Sequence, residues 1–197
     1  MKNVAIFDFD HTLIMGDSLW PFLMNVAGGI SCYAALAEAV AILALQHARG
    51  QTDGDDRTVV KAQMLRRLLK DRKRERLVDA AVRTRAWQKE NAPLMRRLRE
   101  HREQGDTIVI ASGGLDLYLP ELLRDVPHDA LICTQIGVAD GIVTGEMING
   151  NCVRMRKAEL VGEWLAVNGP FGESFAYGNY PHDVPMMELT KHRIIVS

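Results

Sequence analysis

The run Val4-Ala5-Ile6-Phe7 has the pattern of a short buried strand, and it leads directly into Asp8-Phe9-Asp10-His11-Thr12. Carboxylates at the C-terminal end of a strand stand where open α/β sheets do their chemistry. A period of two places Asp8 and Asp10 on one face and Phe9 on the other, so the carboxylates converge beyond the sheet edge. A nucleophile with a proton carrier, or two ligands of one hard cation, needs that convergence. A lone Asp after a strand commonly caps the next helix, but only one member of a pair can be the cap.

The rest of the chain changes character twice. From Asp17 to about Asn91 no β-rich run occurs and helical spacing dominates. Asp17 or Ser18 caps a first helix through Val26, Gly28-Gly29 breaks it, and Ser31 caps a second through His47. Asp55 and Asp56 open a third, and Arg74 to Glu90 reads as a fourth. From Pro93 strands and helices alternate: a helix to Gln104, strand Thr107–Ala111, helix Leu117–Arg124, strand Leu131–Gln135, and a short hairpin within Ile142–Ile148. Helix Lys157–Val167, strand Phe175–Tyr177, helix Val184–Thr190 and strand Ile194–Val196 complete the pattern. The expected fold is α/β, a doubly wound parallel sheet with a Rossmann-like core and a helical cap inserted after the first strand. The core takes residues 1–15 and 92–197 and the cap residues 16–91; an apolar content of 47% suffices to fill it.

Three further clusters fall at strand ends. Thr107-Ile108-Val109-Ile110 runs into Ala111-Ser112-Gly113-Gly114, where a hydroxyl and glycine amides at a helix N-terminus form an anion site; a glycine turn alone is a weak signal. Phe175-Ala176-Tyr177 runs into Gly178-Asn179-Tyr180-Pro181-His182-Asp183, which brings amide and carboxylate oxygens suited to magnesium to the same rim. Lys157 begins a helix, where its charge opposes the dipole, so an anionic neighbour is expected.

In this order the clusters Asp-x-Asp-x-Thr, Ser-Gly-Gly, Lys and Gly-Asn-x-x-x-Asp resemble those of the haloacid-dehalogenase-like hydrolases, a superfamily dominated by phosphatases. The helical insertion is similar to the cap of the phosphoserine-phosphatase-like branch. The resemblance implies that Asp8 is the nucleophile forming an aspartyl phosphate, and that Asp10 is the general acid and base. It implies that the Asp8 carboxylate, the Asp10 main-chain carbonyl and Asn179 hold Mg²⁺, that Ser112, Gly113 and Gly114 with Lys157 grip the phosphoryl oxygens, and that Thr12 and Asp183 orient these groups. The implied substrate is a small phosphomonoester. A phosphotransferase with an alcohol acceptor and a non-catalytic binder of phosphorylated ligands are the alternatives.

The chain departs from the family at Asn179, where many members carry Asp, at His11, where phosphoserine phosphatases have Ser or Gly, and at Leu115, where they have Phe. Asp17 stands where those enzymes keep a glutamate for the substrate amine; it is equally placed to cap a helix. Lys plus Arg number 24 against 25 Asp plus Glu, so nothing global suggests a nucleic-acid partner. The basic run Arg66–Arg76 is diluted by Asp71 and Glu75 and lacks aromatics, as in a solvated helix face. Cys32, Cys133 and Cys152 form neither a disulfide framework nor a zinc motif and read as buried thiols of a cytosolic protein. The N-terminus carries no secretory or transit pattern. Leu19–Leu45 is apolar apart from Glu38, but Pro21 and Gly28-Gly29 divide it into pieces too short for a bilayer, leaving a buried hairpin or a homodimer contact.

Overall fold

The computed structural model describes residues 1–51 and 55–196. Strands β1 (Val4–Asp8), β2 (Thr107–Leu115), β3 (Ala130–Thr134), β6 (Ser174–Asn179) and β7 (His192–Val196) form one parallel sheet in the order β3-β2-β1-β6-β7. β1 lies at its centre with every residue buried, which explains its unbroken apolar run. Alternate side chains feed two layers. Ala5 and Phe7 join the larger core, whereas Val4 and Ile6 pack with Val161, Met186 and Met187 on the other face. Helix α5 (Ala92–Glu103) contributes Met95 and Leu98 to the first layer, and α7 (Arg154–Asn168) contributes Val161 to the second.

The strand order is that of a doubly wound sheet, with the reversal at β1, so the C-terminal ends of β1, β2 and β6 bound one crevice. Between β1 and α5 the chain forms α1 (Leu19–Ala27), α2 (Gly29–Ala48), α3 (Asp56–Leu69), a 3-10 turn (Arg74–Leu77) and α4 (Val78–Trp87), the expected helical cap. Asp17 Oδ1 accepts the amides of Leu19 at 2.9 Å and Trp20 at 3.3 Å, so it caps α1. Asp55 stands at the N-cap of α3 and accepts Thr58 Oγ1 at 3.0 Å.

Several elements differ from the sequence pattern. β2 continues through Ser112-Gly113-Gly114 to Leu115, with a register shift between Ser112 and Leu115. The Ser-Gly-Gly cluster therefore lies in an irregular strand end and not at a helix N-terminus; α6 begins only at Leu119 and ends at Leu122. α8 is likewise short, Val184–Met187. The stretch Ile142–Met147 is one strand, β5, whose partner β4 is Ile136–Ala139. They meet at Asp140-Gly141, both in the left-handed region at φ 49° and 76°, the signature of a type I′ turn. This hairpin supports the cap: a Cβ on Gly145 would lie 2.9 Å from Arg66 Cα, so a side chain there would push α3 away.

α2 is a single 20-residue helix with mean hydropathy 1.6, long and apolar enough to cross a membrane by length and composition alone. The expected break between the two helices occurs at Gly28, at φ 79°, but Gly29 already belongs to α2, so the second piece is not too short to span a bilayer. Ser31 lies within the helix and caps nothing. The expected buried hairpin is not formed either, since only Cys32, Ala35 and Ala39 of α2 are buried while Ile30, Tyr33, Val40 and Leu45 are exposed.

Candidate active site

Asp8 ends β1 at the floor of a cavity of about 420 Å³ between the sheet rim and the cap. Thr12 Oγ1 donates to its Oδ2 at 2.8 Å and Lys157 Nζ to its Oδ1 at 2.7 Å, all three side chains being buried. Lys157 is also bonded to Asp183 Oδ1 at 2.6 Å. These are the anionic neighbours that a lysine near the start of α7 requires. Burial lowers the Lys157 pKa, but the Asp8 and Asp183 carboxylates outweigh it and raise the ammonium above its ordinary value. Burial raises the Asp8 pKa above the usual carboxylate range, against the opposing pull of Lys157.

Asp10 follows in a tight loop, not in continued strand, and its carboxylate has partners different from those of Asp8. Oδ1 accepts the Ser18 amide at 2.7 Å and Oδ2 accepts Ser112 Oγ at 3.3 Å. Burial, with Asp17 and Asp8 nearby, pushes its pKa up to about 7. Two carboxylates two residues apart thus have different surroundings, the arrangement by which enzymes divide the work of acid and base. His11, between them, is exposed and left-handed at φ 59°, a conformation His adopts more readily than most residues.

The β6 rim completes the floor. Asn179 Nδ2 lies 3.4 Å from both Asp8 Oδ2 and the Asp10 carbonyl oxygen. Turning this amide by 180° places Oδ1 there instead, which gives three oxygens around one point. Among the described residues no group of three His, Cys, Asp or Glu side chains is spaced to hold a metal. A cation here would rest on one carboxylate, one main-chain carbonyl and one amide. All are hard oxygen donors of the kind Mg²⁺ takes, so the residues fit that ion. Asp183 stands outside this set, since its Oδ2 accepts the main-chain N–H of Asn179 at 2.9 Å and its Oδ1 accepts Lys157. The fit demands Gly178: a Cβ there would come 2.6 Å from Asp183 Cβ.

Ser112 Oγ accepts the Gly114 amide at 2.9 Å, which fixes the turn of the Ser-Gly-Gly segment. The Gly113 carbonyl accepts Lys61 Nζ at 2.6 Å and Thr134 Oγ1 at 3.0 Å. Lys61, from α3 of the cap, donates also to Asn151 Oδ1 at 2.6 Å. Burial pushes its pKa down to about 8 although Asp10 and Asp17 oppose this. Sequence reasoning missed Lys61, Asn151, Arg57 and Arg154, all of which line the cavity. The available signal was the spacing of Arg57 and Lys61, four apart after the Asp55 cap and so on one face of α3. Arg154 is bonded to Asp55 Oδ1 at 2.5 Å and faces His182 at 3.4 Å on the rim. The Arg66–Arg76 run stays off the cavity, with Arg66 on Glu146 and Arg67 on Glu38 at the surface. The three cysteines are free and buried, as expected. Asp17 lines the cavity while it caps α1, so both of its readings are compatible with the geometry.

A doubly wound sheet with a helical insertion after its first strand, and an aspartate–lysine cluster at the switch point, defines a class of α/β hydrolytic enzymes. The chain belongs to the haloacid dehalogenase-like hydrolases, whose family model matches residues 5–188. It is 26% identical over its whole length to histidinol-phosphatase of Neisseria meningitidis serogroup C (strain 8013), covering 91% of that protein. Among solved structures it is similar to a protein of unknown function from Bordetella pertussis Tohama I, with a TM-score of 0.77, 24% identity, and 99% and 90% of the two chains covered. It is also similar to a substrate-bound phosphoserine phosphatase, with a TM-score of 0.66, 18% identity, and 99% and 86% covered. These likenesses establish the phosphoserine-phosphatase-like fold of the family.

Proposed function

We propose that the chain is a Mg²⁺-dependent phosphomonoester hydrolase that works through an aspartyl phosphate on Asp8. The observation that carries this reading is a buried Asp8 carboxylate held by Lys157 and Thr12 beneath a cavity, with Asp10 beside it raised to a pKa of about 7. Mg²⁺ held by Asp8, the Asp10 carbonyl and Asn179 would neutralise phosphoryl charge and align it with the nucleophile. Asp8 Oδ attacks phosphorus as the ester P–O bond breaks, and Asp10, whose carboxyl burial lets keep its proton to higher pH than an ordinary aspartate, gives that proton to the leaving oxygen. Asp10 then removes a proton from the water that attacks the phosphoryl-Asp8, and phosphate departs with Asp8 again a carboxylate and Asp10 again protonated. Lys157, Ser112 and the Gly113 amide would hold the transferring oxygens, the Gly114 amide being taken up by Ser112 Oγ, and Thr12 and Asp183 fix Asp8 and Lys157 in place. Asp183 adds a negative charge to the site, and Lys61 offsets it with a positive one.

Supporting relatives are the histidinol-phosphatase and the phosphoserine phosphatases, whose names both denote phosphomonoester hydrolysis. Their substrates by name are amine-bearing, and Asp17 at the cavity is the residue to hold such an amine. Buried free thiols suit a reducing cytosol. The test is turnover of p-nitrophenyl phosphate with Mg²⁺, its loss with EDTA, and its recovery on adding Mg²⁺ back. Failure to turn over any phosphomonoester under these conditions rejects the reading. A phosphorylated product with a competing alcohol would reassign the chain to phosphotransfer.

A further inference from the structure

Helix α2 has two apolar faces, and the fold covers only one of them. Cys32, Ala35 and Ala39 are buried in the larger core. Positions 30, 33, 34, 37, 40, 41, 44, 45 and 48 fall on the opposite side, and each is exposed and either apolar or aromatic. At a rise of 1.5 Å per residue this stripe runs for about 27 Å. Ile30 is 91% exposed and Tyr33 62%. Single exposed apolar residues are ordinary on a folded protein, whereas a continuous apolar stripe marks a surface that meets something other than water.

Positive charge borders the stripe on one side. Arg66, Arg67 and Lys70 of α3 line a groove with Glu38 and Ile42 of α2. The chain continues from there through Arg72, Lys73, Arg74 and Arg76, so that residues 66–76 hold seven basic side chains against two acidic ones, Asp71 and Glu75. Glu38, the one acidic residue of α2, is taken up by Arg67 at 3.3 Å. Among the described residues Lys70, Arg72 and Arg76 form no ion pair, unlike Arg66, Arg67 and Lys73. Near the start of the stripe Tyr33 stands edge-on to Trp20 of α1, with ring centroids 5.5 Å apart. Tyr and Trp, with apolar bodies and polar tips, are the residues that favour a boundary between hydrocarbon and water.

We propose that α2 and the basic segment 66–76 form a docking face for an anionic lipid bilayer, on which the protein lies without spanning it. The apolar stripe enters the boundary between headgroups and acyl chains, and the neighbouring arginines and lysines face the acidic headgroups. Crossing the bilayer would tear Cys32, Ala35 and Ala39 out of the core and part Glu38 from Arg67, so the folded cap holds α2 at the surface. A second copy of the chain would also cover the stripe, yet it brings the same basic border and no anions for Lys70, Arg72 and Arg76. An acidic bilayer meets both features at once. The inference does not depend on the phosphatase reading.

The experiment is flotation of the whole chain with vesicles of phosphatidylcholine, alone or with about 30 mol% phosphatidylglycerol. Partition onto the acidic vesicles is expected to exceed that onto the neutral ones by about tenfold at about 100 mM NaCl, and to fall by about fivefold at about 500 mM. Val40→Gln combined with Leu45→Gln keeps good helix formers and is expected to lower partition by about tenfold. Lys70→Gln combined with Arg76→Gln is expected to lower it by about fivefold and to flatten its salt dependence. Ile30→Gln, with an expected loss of about threefold, serves if V40Q/L45Q shows no cooperative unfolding transition. Equal partition onto the two vesicle types, no partition onto either, or unchanged partition in a folded stripe variant overturns the inference. A dimer in light scattering that V40Q/L45Q dissociates, without vesicle binding, assigns the stripe to a second copy and overturns it equally. Turnover of p-nitrophenyl phosphate without vesicles is expected to be the same in all these variants, so a failure here leaves the phosphatase reading standing.

Discussion

Two buried polar clusters lie on this sheet, and only one of them has the properties of a site. Beneath α5, toward the N-terminal edge, His101 Nδ1 pairs with Asp106 Oδ2 and Nε2 with Tyr177 Oη, each at 2.7 Å. Asn3 holds the other Asp106 oxygen at 3.0 Å and Arg97 donates to Tyr177 Oη at 3.1 Å. This Asp–His–Tyr chain resembles a catalytic relay, yet every end is satisfied and Phe7, Phe175 and Tyr177 pack on the imidazole. At the C-terminal edge Asp8, Asp10 and Lys157 face a cavity, and their surroundings shift their protonation. Buried charge alone does not mark function; open space beside groups with perturbed pKa does.

Substitutions separate the two clusters. Asp8→Asn removes the proposed nucleophile, and kcat for p-nitrophenyl phosphate is expected to fall by about 10⁴-fold or more with the fold retained by circular dichroism. Residual turnover within tenfold of the unmodified protein would dissolve the contrast. Asp106→Asn should do the reverse: it breaks the His101 pair and costs about 2–3 kcal/mol in urea unfolding, while kcat holds in the remaining folded protein. Gly178→Ala drives a methyl into Asp183 and displaces the Lys157 support, so kcat/KM is expected to drop by about 100-fold. Lys61→Met removes a donor from the Gly113 carbonyl and from the Asn151 amide oxygen and leaves the single Thr134 hydroxyl to serve both, and a loss of about tenfold in kcat/KM is expected, partly rescued by Lys61→Arg. Smallest is Arg67→Ala at the surface pair with Glu38, where a change below about 0.5 kcal/mol and unaltered kinetics are expected.

That Asp8, Asp10, Asn179 and Asp183 meet at the floor of one cavity was legible because local sequence placed them. Strand β1 had to end at Asp8, the Gly178 segment had to end β6, and each acidic or amide residue sits within a few positions of a strand terminus. Lys157 was readable from its conflict with the α7 dipole, which Asp8 and Asp183 resolve. The partial failures have identifiable causes. The Ser-Gly-Gly segment reads as a helix entry because glycines after a strand usually form one, whereas pairing with β3 carried the strand through Leu115. The β4 strand was hidden because Ile136–Ala139 is short, although the Asp140-Gly141 turn beside it carried the clearer signal.

The sequence by itself determined that a parallel sheet would carry two carboxylates at its C-terminal rim with a helical insertion behind them. Strand ends and caps are decided by side chains within a few residues of one another. Only the tertiary structure decided that Lys61 would cross from α3 to the Gly113 carbonyl, that α2 would leave most of its apolar surface uncovered, and that α1 and α3 would stand apart around a groove. Those outcomes depend on how helices pack across long stretches of chain, where the energy belongs to the pairing of surfaces and not to any local pattern of residues.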